Sequence, residues 1–167
     1  MASTMATIQK SFECAKNFSW DWCLFSLCKP LPDTELYNKL LENKFEDTKF
    51  SGGKKKNEAY NFQEHAGIVA DEERKIFELT YDKNLEINFE LNKNLQGRHI
   101  KRAISDFERV TKLSESHAFA WNCLAIGYEK MQLQEKVKFA KNKTKEIVNN
   151  SSYWRNKFER LEFKPIY

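Results

Sequence analysis

The sequence predicts an all-α fold built from antiparallel helix pairs. Three observations predict it. Glycine (5) and proline (3) are scarce in 167 residues, which argues against an all-β chain with many tight turns. Apolar residues recur at helical spacing: Trp121, Leu124, Ala125 and Tyr128 stand at i, i+3, i+4 and i+7, and Ala103, Phe107 and Val110 at i, i+4 and i+7. Thirteen Phe and four Trp supply the bulk that helix-on-helix packing uses, in a chain long enough for one sizeable core.

From the N-terminus, residues 5–18 read as a helix with Ile8, Phe12 and Ala15 on one face. The aromatic run from Phe18 to Trp22, with Cys23 to Cys28 behind it, is too apolar for a surface loop and is expected to cover the next helices. Pro30 and Pro32 end it, because a proline drives the preceding residue out of helical geometry. Asp33 or Thr34 caps a helix whose stripe is Leu36, Leu40, Leu41 and Phe45 and which runs to Lys49 or Phe50. Gly52 and Gly53 break the chain, and Lys54 to Lys56 keep the loop in water. A helix follows over 57–69. Asp71 then caps another, carrying Ile76, Phe77 and Tyr81.

Residues 85–91 alternate apolar and polar like a strand, but their context makes them helical. A turn at 97–100 leads into the helix of Ala103, Phe107 and Val110, then into the helix of Trp121. The run 133–148 has Val137 at the small position, Lys141 where an aromatic is expected, and Phe139 and Ala140 as substitutes. After a break at 149–152, Tyr153, Trp154, Phe158, Leu161 and Phe163 form a last covering helix that Pro165 stops.

The runs around Ala103 and Trp121 also stand in register. A tetratricopeptide unit carries a large aromatic, Leu, a small residue and Tyr on its first helix, and a small residue followed by an aromatic on its second. The small residue lets the pair approach, and the aromatic fills the groove of the next unit. The separation of Ala103 from Trp121 is the one the repeat template requires. The expected architecture is therefore a short tetratricopeptide-like solenoid. Residues 1–50 form an N-terminal aromatic segment and helix, and 51–83 a lysine-rich loop and connecting helices. Residues 84–150 form two tetratricopeptide-like units, and 151–167 a terminal capping helix.

No catalytic residues are expected. There is no Cys-x-x-Cys pair, no glycine-rich phosphate loop and no Ser/Cys–His–Asp grouping, so the reading is a non-enzymatic chain without metal or cofactor. His65, His99 and His117 read as surface or turn residues, and Cys123 as a small buried apolar group. The N-terminus has no charged and then apolar leader, and no apolar run is long enough to span a bilayer. The expected setting is cytoplasmic, with no membrane. Net charge is +4, but residues 1–90 carry 12 basic and 16 acidic groups, and residues 91–167 carry 16 and 8. A basic C-terminal half suits an anionic partner. Lys136, Lys138, Lys141, Lys143 and Lys145 crowd one helix and are the candidate RNA surface, with Trp154 and Arg155 beside them for base stacking.

Two stretches carry a family resemblance. Phe18-Ser19-Trp20, Pro32-Asp33 and the run Phe45-Glu46-Asp47-Thr48-Lys49-Phe50-Ser51 are one; Trp121, Leu124, Ala125, Tyr128, Met131 and Leu133 are the other. Together they resemble the N-terminal part of the interferon-induced proteins with tetratricopeptide repeats. The resemblance covers about 60 residues, and the stretch 52–100 departs from it. It implies a helical solenoid of innate antiviral defence that binds 5′-phosphorylated single-stranded RNA or other proteins of the family. An open repeat end leaves apolar surface uncovered, so self-association is expected as well, and no DNA partner is expected. Thr48 and Lys49 match positions near the 5′-phosphates, and Glu42 stands where the family often has Gln. The alternative is a tetratricopeptide adaptor for protein partners, with no nucleic acid.

Overall fold

The computed structural model describes residues 5–18, 20–26, 34, 35, 38 and 69–166. Contacts divide the chain into two units, residues 1–25 with 81–167 and residues 26–80. The described part is helical, with no strand among the described residues. It comprises α1 (Met5–Lys16), α2 (Val69–Leu85), two π-helical segments (Glu86–Glu90 and Asn94–Arg98), α3 (Ile100–Leu113), α4 (Ala118–Lys130), α5 (Gln134–Asn150) and α6 (Ser152–Arg160). The expected stripe of Leu36, Leu40, Leu41 and Phe45, the lysine loop and the helix over 57–68 lie outside the described residues. Asp71 starts no separate helix, since α2 is already running at Val69.

The stretch expected to be helical despite its alternation is helical, but wound wider. Asn88 Nδ2 donates to the Asn84 carbonyl at 2.9 Å, and Asn92 Nδ2 to the Asn88 carbonyl at 3.0 Å. Side-chain amides thus occupy carbonyls one turn back, where they compete with the helix's own N–H donors. The backbone answers with i→i−5 bonds, from Leu91 N–H to Glu86 O and from His99 N–H to Asn94 O. The turn expected at 97–100 spans the end of the second π segment and the start of α3. Gly97 there holds φ 142°, a conformation open mainly to glycine.

The core lies where α3, α4, α5 and α6 meet the first π segment. Ala103, Phe107, Phe119, Leu124 and Ala125 are buried, as are Val137 and Trp154. α4 is apolar nearly all round because it touches α3, α5 and the π segments at once. An aromatic column runs through this core. Trp22 packs on Phe89 and Phe107 at 5.7 and 5.9 Å, Phe89 on His117 at 4.7 Å, His117 on Trp154 at 4.9 Å, and Phe119 on Phe158 at 4.4 Å. Trp154 is therefore a core residue and not a surface for stacking bases.

Three further expectations are corrected. On α5 it is Ala140, not Phe139, that enters the core; Phe139 lies outside, edge-on to Trp121 at 5.6 Å. Pro165 does not stop the last helix. Glu162 takes φ 54°, Phe163 N–H reaches back to Phe158 O at 3.1 Å, and the two rings pack at 5.7 Å. That is a left-handed C-terminal cap with its apolar contact, and it closes α6 at Arg160. His117, read as a surface or turn residue, does cap α4, with Nδ1 accepting from Ala120 N–H at 3.2 Å, but it does so from inside the aromatic column.

Burial pushes the His117 imidazole down to about 4 from its ordinary 6.5. The unfolded chain takes up this proton near pH 6.5 and the folded chain only near pH 4, so between the two the unfolded state holds more protons and stability falls as pH drops. Each pH step of one across that interval removes about 1.4 kcal/mol, so roughly 3 kcal/mol is lost by pH 4. Denaturant titrations at pH 7 and pH 4.5 check this. His117→Asn, which keeps a capping acceptor, is expected to lose most of the difference between the two.

Close approach of α3 and α4 depends on a glycine. A Cβ at Gly127 would come within 2.7 Å of Ile104 Cγ1. Gly127→Val is expected to cost about 1–3 kcal/mol by overpacking, read as a lower melting temperature.

Candidate functional site: an asparagine-lined groove

Residues 20–25 run along the C-terminal end of α2 and the first π segment, held there by side-chain amides. Phe25 N–H donates to Asn84 Oδ1 at 2.7 Å, and Asn84 Nδ2 donates back to the Phe25 carbonyl at 2.7 Å. Cys23 N–H donates to Asn88 Oδ1 at 2.7 Å, and Asn88 Nδ2 donates back to the Cys23 carbonyl at 2.6 Å. Each asparagine thus satisfies both backbone groups of one residue, as a neighbouring strand would. The spacing explains why alternate residues are read. Four helical residues rise about 6 Å, and two residues of extended chain span about 6.6 Å. Leu24, between the two residues held, is 83% exposed.

Side chains fix the register. Trp22 packs edge-on against Phe89 and Phe107, which stack on each other at 5.5 Å. Phe25 packs on Phe12 of α1 at 5.8 Å. Asp21 accepts from Asn94 Nδ2 at 2.7 Å and pairs with Arg102 at 2.9 Å. The Asn94 hydrogen bond, then the charges of Arg102, Arg98 and His99, hold its carboxyl below the ordinary value. Beside this end lies an open depression lined by Gly97, His99, Ile100, Lys101 and Arg102. Two buried polar atoms in the groove, the Trp22 indole Nε1–H and Asn94 Oδ1, have no hydrogen-bond partner among the described residues.

Asn122 of α4 follows Asn88 at the length of one tetratricopeptide repeat, about 34 residues. It is fully buried, and its Oδ1 accepts from Ile166 N–H at 2.7 Å. Asn122 thus makes one of the two bonds that Asn84 and Asn88 make, and its Nδ2 has no partner among the described residues.

Glu42, Thr48 and Lys49 lie outside the described residues. The five lysines of α5 do not share one face. With Val137, Ala140, Thr144 and Val148 facing inward, Lys138, Lys141 and Lys145 flank one side of the helix, and Lys136 and Lys143 the other. Lys136 lies 3.8 Å from Glu108 and over the Tyr128 ring, and Lys143 is 3.1 Å from Glu146. Lys138, Lys141 and Lys145 have no acidic partner within ion-pair distance among the described residues. Arg155, named beside them, donates to the Asn149 carbonyl at 2.7 Å. No group of His, Cys, Asp and Glu suited to a metal occurs among the described residues, and no described helix is long and apolar enough to cross a membrane.

The asparagines escape the hydrophobic pattern because a polar residue at 84, 88 and 92 reads as a solvated face. The signal is the i, i+4, i+8 spacing of one amide type. Comparison with protein-family models, with characterised proteins and with solved structures gave no match.

Proposed function

We propose that this protein is a non-enzymatic adaptor whose helices form a short tetratricopeptide-like stack and hold extended segments of polypeptide by their backbone. The observation that carries the reading is the pair of reciprocal contacts from Asn84 and Asn88 to Phe25 and Cys23. Repeat character is supported by positions one repeat length apart that play like roles: Ala103 and Val137 are both buried in second helices, and Asn88 and Asn122 both hold extended chain from first helices. The lysines of α5 favour protein over RNA as the partner, since they split between two sides and two are already ion-paired.

The test uses the full chain carrying Trp22→Ala, which loosens the resident segment. A fluorescein-labelled peptide matching residues 20–25 is expected to bind it. Adding Asn84→Ala and Asn88→Ala removes four hydrogen bonds, and affinity is expected to fall at least about tenfold. Equal affinity with and without the asparagines, in folded protein, contradicts the proposal.

A further inference from the structure

We infer that the groove takes, in trans, an extended peptide from a partner protein in which an acidic residue directly precedes an aromatic one and a second aromatic follows three positions later. Residues 21–25 are the resident stand-in for that peptide. The inference rests on the adaptor reading above and adds the side-chain pattern to it.

The sockets set the pattern. The acidic position is read by the Asn94 amide and the Arg102 guanidinium, a hydrogen bond and an ion pair that a neutral apolar or basic residue would not make. The aromatic position packs edge-on against the stacked pair of Phe89 and Phe107, a geometry that suits a flat side chain. The position between the two asparagine-held residues is free, as the 83% exposure of Leu24 shows. None of these contacts depends on the covalent link between residue 25 and the helix that receives it.

The resident segment is also an imperfect ligand. Among the described residues the buried Trp22 indole N–H finds no acceptor, and Asn94, 1% exposed, finds no donor for its Oδ1. A buried donor or acceptor without a partner carries its full desolvation cost. A partner peptide with Phe at the Trp22 position drops one of these costs, and one offering a donor to Asn94 drops the other. Such a peptide outcompetes the resident segment once it is present at sufficient concentration, so residues 20–25 act as an intramolecular plug.

Fluorescence anisotropy on the full chain tests this in two backgrounds, Trp22→Ala and Asp21→Arg. The second alters only a half-exposed side chain and keeps the aromatic core. Three labelled hexapeptides are compared: the sequence of residues 20–25, the same with Phe at the Trp22 position, and the same with Lys at the Asp21 position. The Phe peptide is expected to bind at least as tightly as the first, and the Lys peptide about tenfold or more weakly. If all three bind alike and binding still needs Asn84 and Asn88, the side-chain pattern is wrong and the backbone reading stands. If none binds either background while both are folded by circular dichroism, the inference and the adaptor reading fall together.

Discussion

Asp82→Ala is expected to lower the melting temperature by about 6–20 °C. Asp82 sits at the end of α2 and is 7% exposed; Lys157 of α6 is 8% exposed, and its ammonium donates to Asp82 Oδ1 at 2.5 Å. Arg160 pairs with the other carboxylate oxygen. The Lys157 ammonium also lies 5.0 Å from the Tyr81 ring and 5.5 Å from the Tyr153 ring. Removing Asp82 leaves a buried ammonium over two ring faces, an attraction worth far less than the carboxylate. Breaking one side of a buried ion pair costs about 3–5 kcal/mol, and each kcal/mol moves the melting point of a chain this size by about 2–4 °C. The double variant Asp82→Leu with Lys157→Met is expected to recover much of the loss, because a well-packed apolar pair replaces the ionic one. Thermal unfolding followed by circular dichroism decides it. A shift below about 2 °C for Asp82→Ala would show that the pair does not pin the end of α2 to α6.

Phe119→Ala is expected to cost about 3–5 kcal/mol, as large-to-small changes at buried aromatic positions do. Phe119 is 1% exposed and is the hub of the aromatic column, stacked on Phe158 at 4.4 Å and Phe163 at 4.9 Å and edge-on to Trp154 at 5.6 Å. These three neighbours lie on α6 or just after it, with Phe89 of the first π segment at 6.2 Å on another side, so the cavity borders that helix. Trp154 emission is expected to shift red before the main far-ultraviolet transition. Coincident transitions at both wavelengths would mean that α6 does not loosen separately. Phe119→Leu keeps more of the volume and is expected to lose well under half as much.

Helices α3 and α4 are legible in the sequence because their buried residues are apolar and one-sided. Spacing alone places Ala103, Phe107, Leu124 and Tyr128. The asparagine groove is not legible in that way. Asn88, Asn92 and Asn94 are buried, and what makes their burial tolerable is hydrogen bonding, some of it to groups far away in the chain. A hydrophobic pattern does not register that compensation, and the same amides pull the helix into π winding that no propensity scale anticipates. His117 reads as a surface residue because Ser114, Glu115 and Ser116 precede it. Phe89 and Trp154, distant in sequence, enclose it. Phe139 and Ala140 are adjacent, and spacing does not choose between them. In the fold Ala140 is the one that enters the core, and Phe139 stays outside.

Hydrogen exchange at two backbone amides tests the central claim most directly. Cys23 and Phe25 lie in a segment without helical bonds, and their N–H groups donate to Asn88 and Asn84. Both amides are expected to exchange slowly in the native chain. In an Asn84→Ala and Asn88→Ala variant they are expected to exchange freely, with the amides of α4 still protected. Fast exchange at Cys23 and Phe25 in the native chain, or protection that survives loss of both asparagines, would contradict the reading of this helix as a holder of extended backbone.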